Sequence, residues 1–216
     1  MRSVQSNPAE PESGGLRRPL HPAKPDGAFP STLSSFADSN GFAVWITGLP
    51  ASGKSTLAKA LVEVLSTRGI DVAVLESDVL RRIFTPRPRY DEEERNVFYG
   101  AMIYVGCLLT EHGVSVIFDG TANRRAYRDQ ARREIPRFME VYVNTPLAVC
   151  IDRDPKGIYR KVQEGAAATV PGIQAAYEPP HHPEVVVKGD QETAESGAER
   201  VVAKLIESGY LPAERL

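Results

Sequence analysis

Lys54 and Ser55 close the stretch Gly48-Leu49-Pro50-Ala51-Ser52-Gly53-Lys54-Ser55, which fits G-x-x-x-x-G-K-[ST] at every fixed position. Glycines there let the backbone curl so that successive N–H groups point inward, toward phosphate oxygens. A helix starting at this point adds the positive end of its dipole. Lys54 then reaches the outer phosphates, the Ser55 hydroxyl holds Mg²⁺, and Thr56 continues the same turn. The expected ligands are ATP and Mg²⁺. Two acids follow at matching places: Asp78 just beyond the apolar run Val72–Leu75, and Asp119 at the end of the run Val114–Phe118. A carboxylate on that rim can take the proton of an attacking hydroxyl or hold a metal-bound water. Asp78 also suits a helix N-cap. Lys54, Asp78 and Asp119 are the catalytic candidates.

The elements that must position these residues are legible from hydrophobic spacing. Phe42–Thr47 is a near-continuous apolar run, as a strand buried on both faces would be. Lys54–Arg68 places Leu57, Leu61, Val64 and Leu65 at helical spacing. Strands are expected at Val72–Leu75, Val114–Phe118, Phe138–Val143 and Glu184–Val187. Helices are expected at Asp91–His112, Arg124–Glu134, Pro146–Arg153 and Gln191–Ser208. The long helix shows Val97, Met102, Val105 and Leu109 as its apolar side. This alternation predicts an α/β three-layer fold, a parallel sheet of about five strands covered by helices, with the ligand at the strands' carboxyl ends. Residues 154–183, rich in Gly, Pro and Ala, read as a lid with a short helix. Residues 1–40 carry six prolines and few aliphatics, so a disordered tail is expected before a domain at 41–216.

Composition narrows the partners. The chain has 216 residues, 42% hydrophobic and 25% charged, enough for one globular domain with its own core. A net charge of −2 gives no reason to expect nucleic-acid or membrane-surface binding. Cys107 and Cys150 lie in apolar runs without metal-ligand spacing, and the four histidines form no zinc pattern. Free thiols, no run of 18 apolar residues and no apolar leader point to the cytoplasm. Between Arg81 and Arg137 there are eleven arginines and no lysine, which suits an anionic small-molecule ligand.

The chain resembles the adenylylsulfate kinases, a family of P-loop kinases that phosphorylate the 3′-hydroxyl of adenosine 5′-phosphosulfate. Its phosphate loop is followed by Glu76-Ser77-Asp78 with Arg81, similar to the family's Asp-Gly-Asp with arginine three residues on. Further on, Arg153-Asp154-x-Lys156-Gly157-x-Tyr159 and Gly172-Ile173-x-x-x-Tyr177-Glu178 match family segments in the same order. The resemblance implies ATP phosphates at Gly48–Thr56, Arg153 facing the nucleotide, and Asp78 as base or metal-water anchor. It further implies Arg81, Asn96, Arg128, Lys156 and Ile173 on the acceptor side, a lid, and a homodimer.

Three positions depart from the family pattern, all toward the acceptor. Glu93 stands where the family has an arginine, and Arg95 points about 160° away on an ideal helix. Val170 replaces an aromatic that stacks on adenine, leaving Tyr90 or Tyr177 as substitutes. Ala122 aligns with a family serine, inside Asp119-Gly120-Thr121 and a trailing arginine helix. Thr121 is there either to bind the acceptor or to cap that helix. Arg125, Arg128 and Arg132 share one helix face, which suits an anion site or a solvated surface equally. The expected activity is ATP-dependent 3′-phosphorylation of adenylylsulfate. A related kinase for another small hydroxylated anion, a non-catalytic nucleotide-binding regulator and a nucleic-acid end kinase are the alternatives.

Overall fold

The structure is a computed structural model that describes residues 41–165 and 169–213. The expected tail, 1–40, lies outside the described residues. Five strands, β1 (Ala43–Thr47), β2 (Val72–Glu76), β3 (Ser115–Asp119), β4 (Phe138–Val143) and β5 (Val185–Val187), form one sheet in the order β2-β3-β1-β4-β5. Every neighbouring pair is parallel. Such a sheet needs cover on both faces, and the alternation along β1 shows how it is supplied. Val44 and Ile46 pack with Leu57, Leu61 and Leu65 of α1 (Lys54–Thr67) and Val201, Val202 and Leu205 of α7 (Ala194–Glu207). Ala43 and Trp45 point the other way. They pack with Phe98, Tyr99, Met102 and Ile103 of α3 (Glu92–Glu111) and Tyr127 and Ala131 of α4 (Arg125–Glu134).

Three further helices stand at the rim. The helix α2 (Ser77–Phe84) starts as soon as β2 ends. The helix α5 (Leu147–Arg153) leads into the lid, which contributes α6 (Ile158–Gln163). It has a small core of its own, where Cys150, Tyr159 and Val170 pack with Leu49 and Leu147. Asp91 caps α3 by accepting the Glu94 N–H at 2.8 Å. The expected N-cap role of Asp78 is not observed: it lies inside the first turn of α2, and Glu76 holds the cap position.

The apolar side of α3 differs from the expectation. Val97 is 67% exposed, whereas Phe98, Tyr99, Met102 and Ile103 are buried. The two aromatic rings carry more apolar area, and they turn the helix by roughly a quarter turn from the Val97-Met102-Val105-Leu109 stripe. Gly106 completes that inward face. A Cβ there would run into the Phe118 ring, which cannot retreat because it is stacked on Trp45 with centroids 4.6 Å apart. Glycine inside a helix normally costs about 0.5–1 kcal/mol relative to alanine. Here the sign reverses: Gly106→Ala is expected to destabilise the fold by about 1–3 kcal/mol through overpacking, read from urea unfolding.

Candidate active site

The loop between β1 and α1 is shaped by positions that need glycine. Gly48 (φ +154°) and Gly53 (φ +107°) take backbone conformations that side chains rarely adopt, and a Cβ at Gly48 would sit 2.6 Å from the Val143 carbonyl. No side chain caps α1, so its first N–H groups are left for a ligand. Ser52 Oγ is buried without a hydrogen-bond partner among the described residues. Lys54 bends back and donates to the Leu49 carbonyl at 2.7 Å. Burial lowers its pKa to about 8, against the opposing pull of Asp119 and Asp78. A buried lysine with no carboxylate in ion-pair range among the described residues, an orphan hydroxyl and an uncapped helix end all favour an incoming polyanion.

The parallel register brings the acids to this loop. Ile46 pairs with Asp119 across β1 and β3, and Glu76 pairs with Asp119 across β2 and β3. The connection after β3 is tied to β1 twice: Trp45 Nε1 donates to the Gly120 carbonyl at 3.0 Å, and Thr47 Oγ1 to the Thr121 carbonyl at 2.7 Å. Thr121 lines the cavity and does not cap α4, whose cap position is Arg124. Asp78 is paired with Lys156 of the lid. The hydrogen bond to Asp78 holds the Lys156 pKa above the usual lysine range. Arg81 lies 4.0 Å over the Phe98 ring and donates to Glu94 at 3.1 Å.

One cavity of about 1200 Å³ joins these parts. It is lined by the loop from Pro50 to Thr56, by Asp78, Arg81 and Asp119, and by Arg153 and Lys156 from the lid side. Ser55, Asp78 and Asp119 offer oxygen atoms only, the donor chemistry that Mg²⁺ prefers. Among the described residues no three His, Cys, Asp or Glu side chains form a closed metal cage. A nucleotide-borne Mg²⁺ needs none, since phosphates and water supply its other ligands.

The remaining expected residues fall elsewhere. Gly48 is buried beneath the loop, and Leu49 faces a separate open groove of about 510 Å³. Three acceptor-side candidates lie outside the lining of this cavity. Ile173 lines that second groove, because Val170 and Leu49 anchor its turn in the lid core. Asn96 is exposed and accepts from the Tyr127 hydroxyl at 2.8 Å, one helix position away from the cavity face. Arg128 is 1% exposed and donates to Glu140 at 2.6 Å, to the Glu178 carbonyl at 2.6 Å and to the Ala122 carbonyl. Its neighbours are similarly used: Arg132 grips Glu184 with both nitrogens, and Arg125 donates to the Pro179 carbonyl. That helix face is therefore neither an anion site nor a solvated surface. It fastens α4 to β4 and to the segment before β5.

The acceptor-side departures also resolve. Glu93 is 84% exposed beside Arg89, while Arg95 is buried and lines the cavity. Arg95 precedes Tyr99 by four residues, so the buried aromatic pair could have revealed its direction in the sequence. Tyr90 lines the cavity, whereas Tyr177 turns to Thr47 and Tyr142. Asn123, buried and bonded to Arg95 at 2.8 Å, had no sequence signal.

Residues 40–188 match the family model described as adenylylsulphate kinase. The chain belongs to the adenylylsulphate kinase family. It is 40% identical over 171 residues to an adenylyl-sulfate kinase of Microcystis aeruginosa, covering 79% of this chain and 94% of that one. An adenylyl-sulfate kinase of Rippkaea orientalis is 38% identical over the same length, again covering 79% and 94%. Among solved structures, the APS kinase of Mycobacterium tuberculosis in complex with AMPPNP and APS superposes with a TM-score of 0.73 at 30% identity, covering 77% of this chain and 98% of that chain. Membership makes the chain an ATP-dependent phosphotransferase, with a nucleotide as one ligand.

Lys54 gives this site a pH signature. In the free enzyme it is a cation below about pH 8 and loses that charge above it, whereas bound phosphates favour the cation. ATP affinity is therefore expected to be level up to about pH 8 and then to fall, approaching tenfold per pH unit. Titration calorimetry between pH 7 and 9.5 checks this, and Lys54→Met removes the slope.

Proposed function

We propose that this chain transfers the γ-phosphoryl group of ATP to the 3′-hydroxyl of adenosine 5′-phosphosulfate, giving 3′-phosphoadenylyl sulfate. The observation that carries the reading is a single cavity lined by the phosphate loop from Pro50 to Thr56, with Asp78 on its rim and Arg81 beside it. The phosphate loop and Lys54 hold the β- and γ-phosphates, with Arg153 toward the nucleotide. Ser55, with Asp119 behind it, would hold Mg²⁺, which would supply positive charge against the transferring group. Asp78 accepts the proton of the 3′-hydroxyl as the oxygen attacks. Its ion pair with Lys156 must first part, which frees the carboxylate for the acceptor and the ammonium for the acceptor's anionic group. Arg81 faces that anion, and the Tyr90 ring supplies the stacking surface that Val170, buried in the lid core, does not. Phosphoryl transfer gains most from such positioning and charge neutralisation.

Two coarser points belong to the same reading. Among the described residues no helix is long and apolar enough to cross a membrane, and both thiols are free. The thiols support a cytoplasmic setting. Val97, Tyr104 and Leu108 are exposed along one face of α3 and support the implied homodimer, which sedimentation equilibrium tests.

The reaction is tested with purified protein, Mg-ATP and adenylylsulfate, separating products by chromatography. Asp78→Asn is expected to lower kcat by about 10²–10⁴-fold while ATP still binds. Arg81→Ala is expected to raise the KM for adenylylsulfate about tenfold and leave the KM for ATP within about twofold. Turnover of another small anionic alcohol in preference to adenylylsulfate would reassign the acceptor.

A further inference from the structure

Two arginines among the described residues are buried, and their surroundings differ in one respect. Arg128 is neutralised by Glu140. Arg95, 7% exposed, has no carboxylate within ion-pair distance among the described residues, and all its partners are neutral. Nε donates to the Tyr90 carbonyl at 3.0 Å, Nη1 to Asn123 Oδ1 at 2.8 Å, and Nη2 to the Thr169 carbonyl at 2.6 Å. The neighbouring Glu94 is committed to Arg81 and to the Arg89 amide. Burial and the nearby Arg81 both hold the Arg95 pKa below the usual arginine range. A guanidinium has five N–H groups, so a second Nη1 donor remains on a side chain that lines the cavity. A buried cation without a counter-charge, beside a second cation, is costly until an anion arrives.

The three acceptors belong to three separate segments. Tyr90 precedes α3, Asn123 follows β3, and Thr169 lies within the lid. Tyr90 (φ +57°) and Thr169 (φ +48°) both hold left-handed backbone conformations, which an aromatic and a β-branched residue adopt only under constraint. Thr169 Oγ1 also donates to the Tyr90 carbonyl at 2.8 Å. Arg95 therefore holds two strained residues together across the mouth of the acceptor side.

We propose that Arg95 is a positioning residue with two linked tasks: it supplies counter-charge to the acceptor's phosphate or sulfate group, and it clasps the lid at Thr169. The anion relieves the burial cost of this cation only in the clasped arrangement. By linkage, acceptor binding favours the clasped lid, and ATP phosphates, held by the loop at Lys54, do so far less. Naming the anion as adenylylsulfate rests on the proposed function. The clasp itself needs only a phosphate- or sulfate-bearing ligand.

The test uses the full chain and follows hydrogen exchange at amides 169–176 with adenylylsulfate, inorganic sulfate or Mg-ADP. Adenylylsulfate is expected to slow exchange at Gly172 and Ala175 about tenfold, and Mg-ADP less than about twofold. Asn123→Asp gives Arg95 the carboxylate it lacks. The same change removes the Asn123 Nδ2 donor to the Ala176 carbonyl at 3.0 Å, so the readout is the KM split: the acceptor KM is expected to rise about tenfold and the ATP KM to stay within about twofold. Arg95→Lys, which keeps the charge and loses the planar fork, is the second variant, with the same split in KM expected. Equal protection by Mg-ADP overturns the linkage. An unchanged acceptor KM in Asn123→Asp overturns the counter-charge role, because a purely structural arginine would accept the new partner. Protection by inorganic sulfate without turnover of adenylylsulfate supports the clasp and overturns only the acceptor's identity.

Discussion

The parallel pairing of β1 with β3 is the constraint on which the rest depends. It sets Ile46 opposite Asp119, so the phosphate loop leaving β1 and the acid ending β3 emerge on one rim. The Trp45 bond to Gly120 and the Thr47 bond to Thr121 hold the two exits at fixed separation. Slipping the register would carry Asp119 away from Lys54 and turn Trp45 out of the aromatic layer it shares with Phe118. The stability of the sheet and the placement of the chemistry thus rest on the same contacts.

Around that rim the charges are distributed with a clear division. Lys54, the orphan Ser52 hydroxyl and the uncapped α1 form a site short of negative charge, which a polyphosphate supplies. On the other side, Lys156 and Asp78 satisfy one another, and Arg81 is satisfied by Glu94 and by the faces of Phe98 and Tyr90. On that acceptor side Arg95 is buried with no carboxylate in ion-pair range among the described residues. One half of the cavity is prepared for phosphates by geometry and the other by pairs that must exchange partners when a ligand arrives. Exchange of existing ion pairs costs less than desolvating free charges, and it keeps the acceptor side selective for anions of the right shape.

The arginine helix shows how a motif can mislead when its charges are counted without their partners. Arg125, Arg128 and Arg132 share a face, and nothing in their spacing separates a ligand site from a structural one. The structure separates them through Glu140 and Glu184, which come from β4 and from the segment before β5. Glu184 is remote in sequence, and Arg128 is buried because β4, the next element, carries the Glu140 carboxylate into the core to meet it. At 1% exposure its guanidinium is out of reach of an acceptor.

The sequence by itself determined the loop from Gly48 to Thr56, the five strands and the strand-end acids Asp78 and Asp119. Those features depend on local rules: glycine where φ is positive, apolar runs where a parallel strand is covered twice, and period-3.6 spacing where one helix face is buried. The tertiary structure decided which side of α3 meets the cavity. Its sequence carries two plausible apolar stripes, and only packing of Phe98 and Tyr99 against Trp45, with Gly106 against Phe118, selects one. That choice turns Arg95 inward and Glu93 and Asn96 outward. It also decided the partners of Arg128 and Asn123, because a side chain's contacts are set by elements that fold against it from far along the chain.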